Sequence, residues 1–106
     1  MLILLKARIN KPADMANKEF YSMWKKEAEA ALGAKDAGVI KEIWKVAGKP
    51  EVMVVMDVES GDMLDGAINS LPIWTLGFAH IVSDVEIVPL RAYENWAKDL
   101  DDLSKG

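Results

Sequence analysis

Residues 52 to 58 read Val-Met-Val-Val-Met-Asp-Val. The run is apolar at both odd and even positions and rich in β-branched residues, the pattern of a strand covered on both faces. It is bounded before by the turn Ala47-Gly48-Lys49-Pro50 and after by Ser60. A strand of this kind sits in the interior of a sheet, so the rest of the chain has to supply its neighbours and two covering layers. With 106 residues, the chain has the length of one domain and can bury one modest core.

The neighbours can be read as short blocks. Leu2 to Ile9 is apolar until Lys6 and Arg8, and reads as a first strand ended by Lys11-Pro12-Ala13-Asp14, since proline cannot continue a ladder. Asn17 to about Ala37 reads as a helix. At ~100° per residue, Phe20, Trp24, Ala31 and Ala34 share one face with Met23 at its edge, and Lys25, Lys26, Glu29 and Asp36 share the opposite one. Gly38 is placed to cap its C-terminus. Val39 to Val46 reads as a second strand and Val52 to Val58 as a third. Ser60 can N-cap a second helix that runs to about Ser70 with Met63, Leu64, Ala67, Ile68 and Leu71 on its apolar face, and Pro72 ends it. Ala79 to Val88 reads as a fourth strand. Tyr93, Trp96, Leu100 and Leu103 form a stripe on a last helix, with acidic residues opposite.

The order β-α-β-β-α-β is the ferredoxin-like pattern. The sequence therefore predicts an α+β fold: one ferredoxin-like domain over residues 1–106 with an extra C-terminal helix over about 91–104. Both long helices should cover one face of an antiparallel sheet. The other face, with Leu2, Leu4 and half of Val52 to Val58, is too apolar to stay wet. A second copy of the chain is expected to cover it, giving a dimeric α+β barrel.

Composition narrows the chemistry. Hydrophobic residues make up 51% and charged residues 28%, an ordinary globular balance. The absence of cysteine removes disulfides and cysteine nucleophiles. A single histidine and no cysteine make a zinc site improbable on donor chemistry, and no metal is expected. A net charge of −4 argues against a nucleic-acid partner. No apolar stretch approaches the ~20 residues that span a bilayer, and the opening Met1 to Asn10 lacks the pattern of a signal peptide. A cytoplasmic location with no membrane partner is the expectation.

Glu27 is the residue that stands out. It falls in the middle of the apolar stripe of the first helix, while Glu29 points to water. A carboxyl facing a core is costly to ionise, so its pKa should rise, and such a group can give and take protons near neutral pH. The alternative is a carboxylate paired with a buried cation. Lys6 and Arg8 share a face late on the first strand and could bind a substrate carboxylate, or could be a solvated strand end. Trp24 and Trp44 could line a pocket for a flat ligand, or simply fill the core. Tyr21 lies at the edge of the same stripe. His80 falls on the polar side of the fourth strand and reads as an edge residue. Gly33 to Gly38 has a GxxxxG spacing but lies in a helix and lacks the Lys-Ser/Thr of a phosphate loop.

These residues resemble the muconolactone Δ-isomerase family. The resemblance rests on Met1-Leu2, Lys6, Pro12-Ala13-Asp14-Met15, Glu27 with Glu29, Gly38, Trp44-Lys45-Val46-Ala47-Gly48, Asp57-Val58 and Leu71-Pro72, in register without gaps from residue 1 to about 73. It implies a ferredoxin-like subunit, a homodimeric barrel unit that can assemble into a larger ring, and chemistry without a cofactor on a small unsaturated lactone acid in the breakdown of aromatic compounds. It further implies that Glu27 carries the proton. The chain departs from the pattern at Lys49-Pro50-Glu51-Val52-Met53, and again from Ile73-Trp74-Thr75 onward.

The leading expectation is an isomerase in which Glu27 takes a γ-proton from a lactone and returns it at the α-carbon. Lys6, or Lys49 after the turn, would steady the dienolate oxygen or the substrate carboxylate, and Trp24 and Trp44 would exclude water. The same proton removal would expel chloride from a chlorinated lactone. Two other readings remain open from the residues alone: a cofactor-free monooxygenase acting on polyphenols, and a non-enzymatic oligomer that binds a small ligand.

Overall fold

The computed structural model describes Met1–Gly106. Its elements are β1 (Leu2–Ile9), α1 (Asn17–Asp36), β2 (Ile40–Lys45), β3 (Glu51–Asp57), α2 (Gly61–Asn69), α3 (Pro72–Thr75), β4 (Val82–Pro89) and α4 (Tyr93–Leu103). The four strands form one antiparallel sheet in the order β2-β3-β1-β4. β3, which holds the apolar run Val52 to Val58 up to Asp57, lies inside the sheet between β1 and β2. The fold is α+β and ferredoxin-like, as the element order predicts.

The register separates the two faces. Ile3 pairs with Met56, Leu5 with Val54 and Ala7 with Val52, and because side chains alternate along a strand these residues share one face with Ile9. Ile3, Val54 and Met56 pack there with Ala31, Ile40 and Val58. Farther along, Ile9 packs with Phe20, Met23, Ile73 and Ile81. Val52 touches both clusters. The helices α1, α2 and α3 cover this face. The opposite face carries Leu2, Leu4, Lys6 and Arg8 of β1 and Glu51, Met53 and Val55 of β3.

Local chemistry explains the boundaries. The Ser60 hydroxyl accepts a hydrogen bond from the Met63 N–H at 3.1 Å, capping α2. Gly38 follows α1 with φ +85°, and Gly48 turns between β2 and β3 with φ +80°, both in the left-handed region that favours glycine.

Three sequence expectations need correction. Pro72 does not merely end a helix: after the Ser70 cap of α2, it occupies the first turn of α3, where a residue without N–H costs nothing. The fourth strand begins at Val82, because Ala79–Ile81 form a 3₁₀ turn. His80 therefore lies exposed in that turn and not on a strand. The last helix, α4, packs on neither the sheet nor α1 to any extent, and the molecule is 61 Å long against 27 and 21 Å in its other dimensions. Tyr93, Trp96, Leu100 and Leu103 of its stripe are all exposed. No helix is long and apolar enough to cross a membrane.

Ile3 is 1% exposed and joins β1 to the packing under α1. Ile3→Ala should cost about 2–5 kcal/mol and Ser60→Ala about 1 kcal/mol, both read from urea unfolding followed by tryptophan fluorescence. A change below about 0.5 kcal/mol for Ile3→Ala would contradict this placement of the core.

Candidate active site

Between the two packed clusters the helices stand off the sheet and leave a cavity of about 640 Å³. Its floor is the helix-facing side of the sheet, with Leu5, Ala7, Val52 and Val54. Its walls come from α1 (Trp24, Glu27, Ala31), α2 (Met63, Ala67, Ile68) and α3 (Ile73, Trp74). Small residues make this room. Ala28, Ala30, Ala31 and Ala34 line it from α1, where larger side chains would fill the gap.

Glu27 is the only carboxyl that lines the cavity. Its position follows from helix geometry: three residues after Trp24 and four before Ala31, it must face the sheet. One carboxyl oxygen, Oε2, accepts a hydrogen bond from the Ile73 N–H at 3.3 Å. That N–H belongs to the first turn of α3, where backbone donors have no partner within the helix. The other oxygen, Oε1, is buried and receives no hydrogen bond from the protein. Burial pushes the carboxyl above its ordinary value of 4.5, and the Ile73 N–H offsets only part of that effect. No cation lies within ion-pair distance of Glu27; the acidic partners of the ion pairs are Glu42, Glu51, Asp57, Asp99 and Asp102.

The other sequence-selected residues divide. Trp24 lines the cavity with Glu27 and stacks edge-on against Phe20 at 5.7 Å between centroids. Trp44 borders the cavity, but its pairing with Met53 turns its side chain to the helix-free face, where it is 51% exposed, so it is not the inner wall the sequence suggests. Tyr21 is 61% exposed and lies outside the cavity. Lys6 and Arg8 are not brought to it. They stand on the opposite face of the sheet, where Lys6 Nζ lies 3.7 Å and Arg8 Nη1 3.3 Å from the buried carboxylate of Glu51. The Lys49 side chain does not line the cavity, but its carbonyl accepts a hydrogen bond from Lys45 Nζ at 2.9 Å.

Three residues escaped the sequence reading. Lys45 and Ser70 are the other polar residues that line the cavity, and Trp74 adds a third indole. Pro72 was the available signal for Trp74 and Ile73, since proline favours the first turn of a helix. No group of three or more His, Cys, Asp or Glu side chains is arranged to hold a metal ion.

The raised pKa of Glu27 has a consequence for stability. A carboxyl whose pKa is higher in the folded than in the unfolded state favours folding below the unfolded value, near 4.5, and loses that contribution as pH rises through the folded value. Glu27→Gln carries no such loss. Its stability relative to wild type should increase from acid to neutral pH, measured by urea unfolding at a series of pH values. A variant that loses ground to wild type toward neutral pH would mean that Glu27 is held ionised by a partner.

The comparisons with known proteins agree with this outline. The family model described as muconolactone delta-isomerase matches residues 1–95. A crystal structure of muconolactone isomerase superposes with a TM-score of 0.71 at 25% identity, covering 87% of this chain and 90% of that one. The 5-chloro-2-hydroxyhydroquinone dehydrochlorinase of Burkholderia phenoliruptrix AC1100, solved with 2,5-dihydroxybenzoquinone, gives a TM-score of 0.63 at 14% identity over 86% of this chain and 94% of that one. A NIPSNAP domain protein from Burkholderia xenovorans gives 0.50 at 12% identity over 87% and 95%. The last two likenesses are of fold alone. A search of curated protein sequences finds no match. With nine-tenths of its length in the matched region, the chain belongs to the muconolactone delta-isomerase family.

Proposed function

We propose that the protein is an isomerase that moves a proton within an unsaturated lactone, without a cofactor, and that Glu27 carries the proton. The observation that supports this is the state of Glu27: a lone carboxyl in an apolar cavity, one oxygen steadied by the Ile73 N–H, the other unengaged, and its pKa raised by burial. A group of that kind populates both protonation states closer to neutral pH than an exposed glutamate does, which suits it to serve as base and acid in turn.

In the forward step, ionised Glu27 takes the γ-proton of an α,β-unsaturated lactone. The C–H electron pair forms the new β,γ double bond, the former α,β pair becomes a double bond between the α-carbon and the carbonyl carbon, and the carbonyl π pair moves to oxygen to give a dienolate. The protonated carboxyl then returns its proton at the α-carbon, so the double bond has moved and nothing has been gained or lost. The dienolate oxygen needs a donor. Lys45 is the one cation that borders the cavity and is our candidate for this part: its ammonium stands at the exposed β2–β3 turn, held by the carbonyls of Val46 and Lys49 at 3.0 and 2.9 Å, and keeps a third N–H to donate from the rim. Trp24 and Trp74 keep bulk water from the carboxyl and so sustain its raised pKa.

The helix-free face of the sheet supports a homodimer. Leu4, Met53 and Val55 there are half-buried in one chain alone, and two such faces set against each other would hide them along with the Lys6–Glu51–Arg8 cluster.

The test is deuterium exchange from heavy water into muconolactone and into a neutral γ-methyl butenolide, followed by NMR. Wild type should accelerate exchange at the γ and α positions. Glu27→Gln keeps the size and the acceptor for Ile73 but cannot take a proton, and should lower the rate by about 10²–10⁴-fold. A Gln variant that retains most of the exchange would rule out Glu27 as the proton carrier.

A further inference from the structure

The cavity is large, and it is poor in polar groups. Of the residues that line its about 640 Å³, only Glu27, Lys45 and Ser70 have polar side chains. The Ser70 hydroxyl already donates to the Ala67 carbonyl at 2.8 Å, which leaves it as an acceptor. Lys45 has one N–H left after Val46 and Lys49. The cavity therefore offers a ligand one carboxyl inside and, from its exposed rim, one cationic N–H of Lys45, and the proposed chemistry uses both at the lactone ring.

A substrate carboxylate would have nothing to pair with. Lys6 and Arg8, the cations that a sequence reader assigns to it, lie across the sheet and are committed to Glu51. An unpaired carboxylate among aliphatic and indole walls is strongly disfavoured, and beside Glu27 it would also oppose ionisation of the base. The volume points the same way. Sites of ~300–1,000 Å³ enclose drug-sized ligands, and a single five-membered ring with a short acid chain would leave much of this one unfilled. Ala31, Val54, Ala67 and Trp74 offer that remaining space to hydrocarbon.

We infer that the site takes an uncharged unsaturated lactone bearing a sizeable alkyl or aryl substituent, with the ring between Glu27 and Lys45 and the substituent along the apolar walls. This deepens the reading of Glu27 as proton carrier and rests on it for the orientation of the ring; the preference for neutral, apolar ligands stands on the lining alone.

The experiment measures affinity, not turnover. Butenolides with γ-methyl, γ-butyl and γ-octyl chains, and the ω-carboxylate of each longer chain, are titrated against the protein while the fluorescence of Trp24, Trp44 and Trp74 is followed, with calorimetry as a check. The inference predicts that neutral ligands tighten with chain length, by up to about fourfold per buried methylene, and that the octyl compound binds at least tenfold more tightly than its ω-carboxylate. Equal or tighter binding of the carboxylates, a flat chain-length series, or no binding of the neutral series would overturn it. Glu27→Gln should bind the neutral series within a few-fold of wild type. Deuterium exchange on the same ligands separates the two readings. Preferential binding of neutral ligands with no exchange would remove the proton-transfer reading and leave this one. Exchange with a preference for carboxylates would do the reverse.

Discussion

The burial of one carboxyl between a helix and a sheet organises the functional end of this molecule. Glu27 shares its helix face with Phe20, Met23 and Ala31, whose packing against Ile9, Ile73 and Ile81 at one end and Ile3, Val54 and Met56 at the other fixes the rotation of α1. No cation lies within ion-pair distance of it. What remains is a single backbone N–H from α3, too little to offset desolvation. The cavity, the raised pKa and the arrangement of indoles all follow from that placement.

The sheet divides the charged residues into two environments with different tasks. On the helix side, charge is nearly absent, so a proton can be held or released by small changes in what touches Glu27. On the other side, Glu51 is buried between Lys6 and Arg8, an ion cluster whose members are already satisfied. A cluster of that kind contributes little net stability, but it fixes charge at one end of an otherwise apolar face. Two sheets that meet there would have to match those charges, which favours one register over others.

Much of this was legible in the sequence because it depends on local periodicity. Four strands, the two main helices, the Ser60 cap and the place of Glu27 in the stripe of α1 all come from spacings of two or of three and four residues. The side of the sheet on which Lys6 and Arg8 stand was legible too: Leu2 and Leu4 were assigned to the helix-free face, and alternation carries Lys6 and Arg8 with them. Grouping those cations with Glu27 passed over that parity. Other features depend on contacts distant in sequence. The N–H of Ile73 meets a carboxyl 46 residues earlier, and no periodicity announces it. Lys45 follows Trp44 on a strand whose bulge at Ile40/Glu42 shifts the register, so simple alternation does not assign its side. The direction of α4 is not set by the core: its stripe does not pack on the sheet or α1, and its contacts are local, with Arg91 over the Trp96 ring and paired with Asp99.

The central claim is that the surroundings of Glu27 raise the pKa of its carboxyl above the ordinary value. It is tested most directly by ¹³C NMR of protein labelled at glutamate side-chain carboxyls, with the Glu27 resonance assigned by its loss in Glu27→Gln and followed across pH. The account predicts a midpoint above the ordinary 4.5. A Glu27 midpoint at or below 4.5 would mean that the carboxyl is held ionised, and the account of this cavity as a proton-transfer site would be wrong.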